Sequence, residues 1–227
     1  MITDFKQIEE FFKEIDKASL GKIRVYTIGG AVLLEQGLKI ATKDIDLVVE
    51  TKNEFIKLQH SLQKIGFKPQ IPGKEYSRMN LNQIFKRKEF RIDLFEKEVC
   101  GAFSLSKGMM KRARKAINLD NIEVYLCSNE DIFLFKTMTD REGDLTDCES
   151  IVGAAVEWEA IIDELKSQIN KSKQDVWITW VGERLDILED RGMVIPIMDE
   201  LNRLRNKFFD DFERKLSNNK NLPNPTP

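Results

Sequence analysis

The residues with the most chemical promise are Asp44 and Asp46, two positions apart, and Asp93 further along the chain. Asp44-Ile45-Asp46-Leu47 reads as part of a β-strand, so period-two geometry puts both carboxylates on one face and Ile45 and Leu47 on the other. Asp93 sits in Arg91-Ile92-Asp93-Leu94-Phe95, a second strand pattern with apolar neighbours. If these strands are adjacent, the three carboxylates converge. Converged anions repel one another and need a cation, and their hard oxygen donors favour Mg²⁺ or Mn²⁺. Two such ions, about 3.5–4 Å apart, clamp an in-line phosphoryl displacement.

Gly29-Gly30 supplies a second part, where a strand passes into a helix. Glycine lets the backbone approach a phosphate closely, and a following helix start offers N–H donors and partial positive charge. Taken alone, a Gly-Gly pair is usually a turn, and Asp-x-Asp arises by chance on half-exposed strands. The order is more specific: an apolar strand, Gly-Gly, a helix, Asp-x-Asp in a strand, then a third aspartate in a later strand.

The elements that must position these residues are legible in part. Phe5, Ile8, Phe11, Phe12 and Ile15 recur at helical spacing, so the chain opens with an amphipathic helix. Ile23 to Ile28 suits a strand, Ala31 to Gln36 a helix, and Ile45 to Val49 a buried strand. Thr51 with Glu54 forms a capping box for a helix to about Ile65, ended by Gly66. His60, the single histidine, falls on the surface of that helix. Pro69, Pro72 and Gly73 mark a loop. Met79 to Phe85 and Phe90 to Phe95 read as two strands joined by a turn at Lys86-Arg87-Lys88. Ser106 caps a basic helix running to about Ile117, and Ile122 to Leu126 is a strand. Ser128 and Asp131 open a helix through about Asp140. Three further helices are expected at Thr146 to Ile169, Gln174 to Glu189 and Ile195 to Leu216. The fold class is therefore α+β: a mixed sheet flanked by helices over residues 1–127, a helical bundle over 128–216, and a disordered tail at 217–227.

Composition bounds the rest. The 227 residues are 41% hydrophobic and 33% charged, enough to bury a real core. The net charge of −2 hides an uneven distribution, basic from Lys68 to Asn118 and acidic from Leu119 to Glu164. The first stretch could face a polyanion such as RNA, with Lys107 to Lys115 as the contact, or both could be solvated surfaces. Few aromatic residues interleave with these charges, so base stacking is not indicated. Cys100, Cys127 and Cys148 are too widely spaced for a disulfide framework or a CxxC site, and a lone histidine excludes a His-rich zinc site. No signal peptide or membrane span is evident, which gives the expectation of a cytoplasmic, reduced protein.

Ile28-Gly29-Gly30, then Ala31 to Lys43, then Asp44-Ile45-Asp46-Leu47 resembles the signature of the DNA polymerase beta-like nucleotidyltransferase superfamily. Ile92-Asp93-Leu94 is similar to its third-carboxylate strand. The resemblance implies that Asp44 and Asp46 bind both metals, and that Asp93 binds one and helps activate the attacking hydroxyl. Gly29 and Gly30 would contact the triphosphate. Thr42 to Leu47, followed by Asn129-Glu130-Asp131 with Lys136, Arg141, Asp144 and Asp147, is similar to the stand-alone branch with abortive-infection and toxin-like members. By that match Lys136 holds the triphosphate; the alternative is an i,i+4 pair with Asp140. This chain departs from the branch in having Ile40 where an arginine is common, with Lys39 beside it expected to point elsewhere. The expected activity is transfer of a nucleoside monophosphate from an NTP to an unknown acceptor hydroxyl, with Mg²⁺ or Mn²⁺ as cofactor. The alternatives are a nucleotide- or RNA-binding module without turnover, or a toxin-like partner of a cognate protein.

Overall fold

The computed structural model describes residues 1–76, 79–154 and 156–219. The chain divides into two compact units, Met1–Glu157 and Trp158–Pro227.

The first unit opens with α1 (Phe5–Ala18), capped by Asp4 in a capping box with Gln7. It continues through β1 (Ile23–Ile28), α2 (Gly30–Glu35), β2 (Ile45–Val49) and α3 (Lys52–Lys64). The Thr51–Glu54 capping box forms as the sequence predicts. Next come β3 (Lys68–Gln70), β4 (Gln83–Arg87), β5 (Phe90–Glu96), β6 (Glu98–Cys100) and β7 (Phe103–Ser104). The unit closes with α4 (Lys107–Arg112), β8 (Arg114–Asn118), β9 (Ile122–Leu126), α5 (Asn129–Thr137) and α6 (Glu142–Gly153).

Among the described residues seven strands form one sheet in the order β3-β4-β5-β2-β1-β9-β8. It is mixed: β2 runs parallel to β5 and β1 parallel to β9, while the remaining neighbours are antiparallel. Alternation along the strands decides which face is covered. Ile23, Val25, Ile45, Leu47, Ile92 and Leu94 point to one face and pack with Ile8, Phe11 and Phe12 of α1 and Phe55, Leu58 and Leu62 of α3. Burying each such side chain contributes about 1.5–3 kcal/mol before chain entropy is counted. The opposite face carries Ile28, Asp46 and Asp93, which stand side by side across β1, β2 and β5.

The second unit holds α7 (Trp158–Ser172), α8 (Trp177–Asp190) and α9 (Met198–Asn219). Gly182 lets α9 approach α8, since a Cβ there would stand 2.6 Å from Arg205 Cδ. Arg205 continues to Asp186, with Nη1 donating at 2.9 Å. The whole is the α+β architecture expected: a mixed sheet flanked by helices, then C-terminal helices.

Several expectations need correction. The basic helix from Ser106 stops at Arg112; Ala113 is extended, and Arg114–Asn118 pairs with β9 as a strand. Backbone pairing to an adjacent strand outweighs the helical reading of that short basic run. The single helix expected over Thr146 to Ile169 is two, because α6 ends at Gly153 and α7 begins at Trp158. The strand read from Met79 begins at Gln83, and Met79 itself makes only an isolated bridge to Cys100. Pro69 lies within β3, at the sheet edge, where a missing N–H costs no ladder bond. The boundary proposed between residues 127 and 128 falls inside the first unit, because α5 and α6 belong to it. Of the tail read from 217, residues 217–219 close α9, and 220–227 lie outside the described residues.

Candidate functional site

A cleft of about 430 Å³ opens on the sheet face opposite α1 and α3. Its lining includes the six candidate site residues Gly29, Gly30, Asp44, Asp46, Asp93 and Lys136.

The glycine pair is explained by close approach. Gly29 follows β1 with φ 68°, a conformation L side chains rarely adopt, and a Cβ there would stand 2.5 Å from Asp46 Oδ2. Gly30 opens α2, and a Cβ there would stand 2.6 Å from Thr42 Oγ1. The pair thus makes room for side chains of the Asp-x-Asp segment. Thr42 fixes that segment: its backbone bridges Ile2 in both directions at 2.8 Å, and its hydroxyl donates to the Asp44 carbonyl at 3.1 Å.

The carboxylates meet because β2 and β5 are parallel neighbours with Asp46 directly opposite Asp93. Asp46 is driven well above the usual carboxylate range, first by burial and then by the charges of Asp44 and Asp93. Burial also raises Asp93, opposed by a hydrogen bond from Arg91. Arg91 is two residues away on the same strand face, and its Nε and Nη2 donate to the two Asp93 oxygens at 2.7 Å each. The Arg91 guanidinium also lies 5.1 Å from the Tyr76 ring centroid. Sequence reasoning assigned Arg91 no role, although its i,i+2 spacing from Asp93 carried the signal. Among the described residues no three His, Cys, Asp or Glu side chains form a ready-made cation cage, and Asp93 is turned onto Arg91. The donor set nonetheless suits a hard divalent ion. Asp46 is a half-buried oxygen donor pressed by two further acids, which is the field an added cation relieves.

The opposite wall comes from α5, α6 and the segment before β2. Lys136 is buried, and its Nζ reaches Asp144 Oδ1 at 2.9 Å and Asp147 Oδ2 at 2.5 Å. These carboxylates lie on the next helix, not at the i,i+4 position of the alternative reading. Burial pulls the Lys136 ammonium down, but Asp144 and Asp147 outweigh it and hold the pKa above its ordinary value. Asp144 is the mirror case: burial pushes it up, and Lys136, Thr139 and Arg141 bring it below the usual range. Arg141 Nε donates to Asp144 Oδ2 at 2.7 Å, and the Thr139 hydroxyl donates to the same oxygen. Lys39, expected to point elsewhere, enters the cleft instead, with Nζ 2.7 Å from Asp147 Oδ2. Its neighbour Ile40 is 93% exposed.

The basic segment Lys107 to Lys115 is helical only as far as Arg112, and three of its cations are paired. Arg112 pairs with buried Asp131 at 2.5 Å, Arg114 with Glu35 at 2.7 Å, and Lys115 with Glu123 at 2.8 Å. Cys100, at the cleft, is a buried thiol pushed up to about 12 by burial. His60 is exposed on α3. No described helix is long and apolar enough to cross a membrane.

A family model described as "Nucleotidyltransferase of unknown function (DUF6036)" matches residues 3–183. The chain belongs to this family. No curated protein matches this nucleotidyltransferase in sequence. A solved structure, "Crystal Structure of ANT(2″)-Ia in complex with adenylyl-2″-tobramycin", is similar in fold. The likeness has a TM-score of 0.50 and 10% identity, and covers 74% of this chain and 98% of that one. Family and fold agree with the polymerase beta-like resemblance carried by the glycine pair and the three aspartates.

Proposed function

We propose that this nucleotidyltransferase moves a nucleoside monophosphate from an NTP to an acceptor hydroxyl. The hydroxyl oxygen bonds to the α-phosphorus, the bond from that phosphorus to the oxygen leading to the β-phosphate breaks, and pyrophosphate leaves. The observation that carries this reading is the Asp46–Asp93 pairing, beside Asp44 and across a cleft from Lys136.

Asp44, Asp46 and Asp93 are the residues to hold Mg²⁺ or Mn²⁺. Such an ion, when bound, offsets the charge of the triphosphate and of the leaving pyrophosphate. Asp93, whose proton affinity is raised by burial, is the residue suited to take the hydroxyl proton. Releasing Asp93 from Arg91 is part of reaching the competent arrangement. Gly29 and Gly30, which make room for Asp46 and Thr42, line the cleft and offer their backbone to the triphosphate. Lys136, fixed by Asp144 and Asp147, presents a stationary positive charge to phosphate oxygens.

The test uses labelled NTPs, Mg²⁺ and total cell extract, followed by identification of the labelled species. The adenylyl-2″-tobramycin held by the structural neighbour makes ATP with tobramycin one pair to include. Asp44→Ala and Asp46→Ala should each abolish labelling while the protein stays folded. Full activity in either variant would sink the assignment.

A second reading is nucleotide binding without turnover, favoured by the Arg91 grip on both Asp93 oxygens. Titration with each NTP and Mg²⁺, run beside a pyrophosphate-release assay, separates the two. Binding without release selects the second.

A further inference from the structure

Lys39 lies between α2 and β2, and its Nζ donates to both oxygens of Asp147, at 2.8 and 2.7 Å. Asp147 also holds Lys136 at 2.5 Å, so one carboxylate is shared by two ammonium groups. Asp144 is shared in the same way between Lys136 and Arg141. The wall therefore sets three cations, Lys39, Lys136 and Arg141, around two carboxylates, so each carboxylate is shared by two of them. A cation that shares its carboxylate is the readier to exchange it for another anion.

The two lysines are not equivalent. Lys136 has a side chain 9% exposed and is held by two carboxylates. Lys39 is 31% exposed and reaches into the cleft. If it leaves Asp147, that carboxylate still has Lys136, so no buried charge is orphaned. The Lys39 stem passes close to Gly30, with Cδ 3.7 Å from where a Cβ would stand. Its ammonium therefore swings on a stem that already lies beside the glycine pair. A flexible stem ending in a compact point charge suits a phosphate oxygen.

We infer that Lys39 binds the triphosphate of the nucleotide, exchanging Asp147 for a phosphate oxygen, and that Asp147 is the positioning residue that holds it over the cleft beforehand. This rests on the nucleotide site described above and adds a contact to it.

The experiment compares Lys39→Met with wild type, because methionine keeps an unbranched apolar stem beside Gly30 and removes the charge. Each of the four NTPs, and each matching nucleoside monophosphate, is titrated with Mg²⁺ by calorimetry. Wild type should prefer triphosphate to monophosphate, and Lys39→Met should narrow that preference about tenfold, the scale of one charge-assisted contact. Monophosphate affinity should hold steady. Lys39→Arg, which keeps the charge, should restore most of the gap; this rescue also separates contact loss from misfolding. An unchanged gap in Lys39→Met overturns the inference. Wild type that binds no nucleotide overturns it together with the site. Wild type that binds NTP but transfers nothing defeats only the catalytic reading, and Lys39 is still judged by the gap.

Discussion

On the sheet wall of the cleft Asp46 stands half-buried beside two further acids, while on the helical wall Asp144 and Asp147 are buried beside three cations. Both walls take carboxylates out of water, which is costly unless the charge is matched. The helical wall matches its charges internally, and Asp144 consequently sits below the usual carboxylate range. The sheet wall matches Asp93 with Arg91 but leaves Asp46 beside Asp44 and Asp93, and Asp46 sits well above that range. Asp144 is held by cations of the fold, whereas Asp46 stands where an added cation would offset its neighbours' charge. The same residue type thus has two electrostatic settings within one cleft, set by how closely the fold brings a cation to it.

Removing a matched charge is the strongest way to break this contrast. Asp144→Asn leaves Lys136 and Arg141 short of a partner and should lower unfolding free energy by about 3 kcal/mol, measured by denaturant titration. The pH signature follows from sign. The folded pKa of Asp144 is lowered, so its contribution is present above the unfolded value of about 3.9 and is lost as pH falls through the lower folded value. The stability gap between wild type and Asp144→Asn should therefore be full at neutral pH and close in strong acid. A gap that stays constant to low pH would show that Asp144 is not the group responsible.

Supplying the missing charge tests the other wall. Mg²⁺ or Mn²⁺ should raise the unfolding free energy of wild type, by about 2.7 kcal/mol when the free ion is a hundredfold above its Kd. The rise should be absent in Asp46→Ala. Smaller again, Asp46→Asn in metal-free buffer should leave the protein more stable than wild type by about 1 kcal/mol, since it removes a half-buried acid with like-charged neighbours. Loss of stability in that variant would mean that the site is matched without an ion. The smallest effect belongs to the basic segment. Lys115→Ala removes a solvent-facing pair with Glu123 and an ammonium 5.3 Å from the Tyr125 ring centroid, and should lower the melting temperature by no more than a few degrees.

Much of the sheet wall was legible in the sequence. The alternation Asp44-Ile45-Asp46-Leu47 placed the acids on one face and the apolar pair on the other, and the core beneath the sheet contains Ile45 and Leu47 as expected. The glycine pair was also legible, although its observed reason includes room for Asp46 and Thr42. The helical wall was much less so. Lys136 was noticed by resemblance, but its partners were sought four residues away when they lie on the next helix. Lys39 was set aside because extended geometry was assumed for a segment that bends at Leu38, Ile40 and Lys43. The basic run ending in β8 was read as helix because its strand partner, β9, comes later in the chain.

By itself the sequence determined which residues share a face, because side-chain direction along a strand or helix follows a local period. It also determined where the backbone must do without a Cβ, since a left-handed turn beside a carboxylate admits little else. Only the tertiary structure decided that β2 lies parallel to β5 with Asp46 opposite Asp93, that Arg91 grips Asp93, and that Lys39 and Lys136 share Asp147. Strand pairing and ion pairing between distant residues are many-body outcomes of packing, and the charge state of each aspartate follows from them.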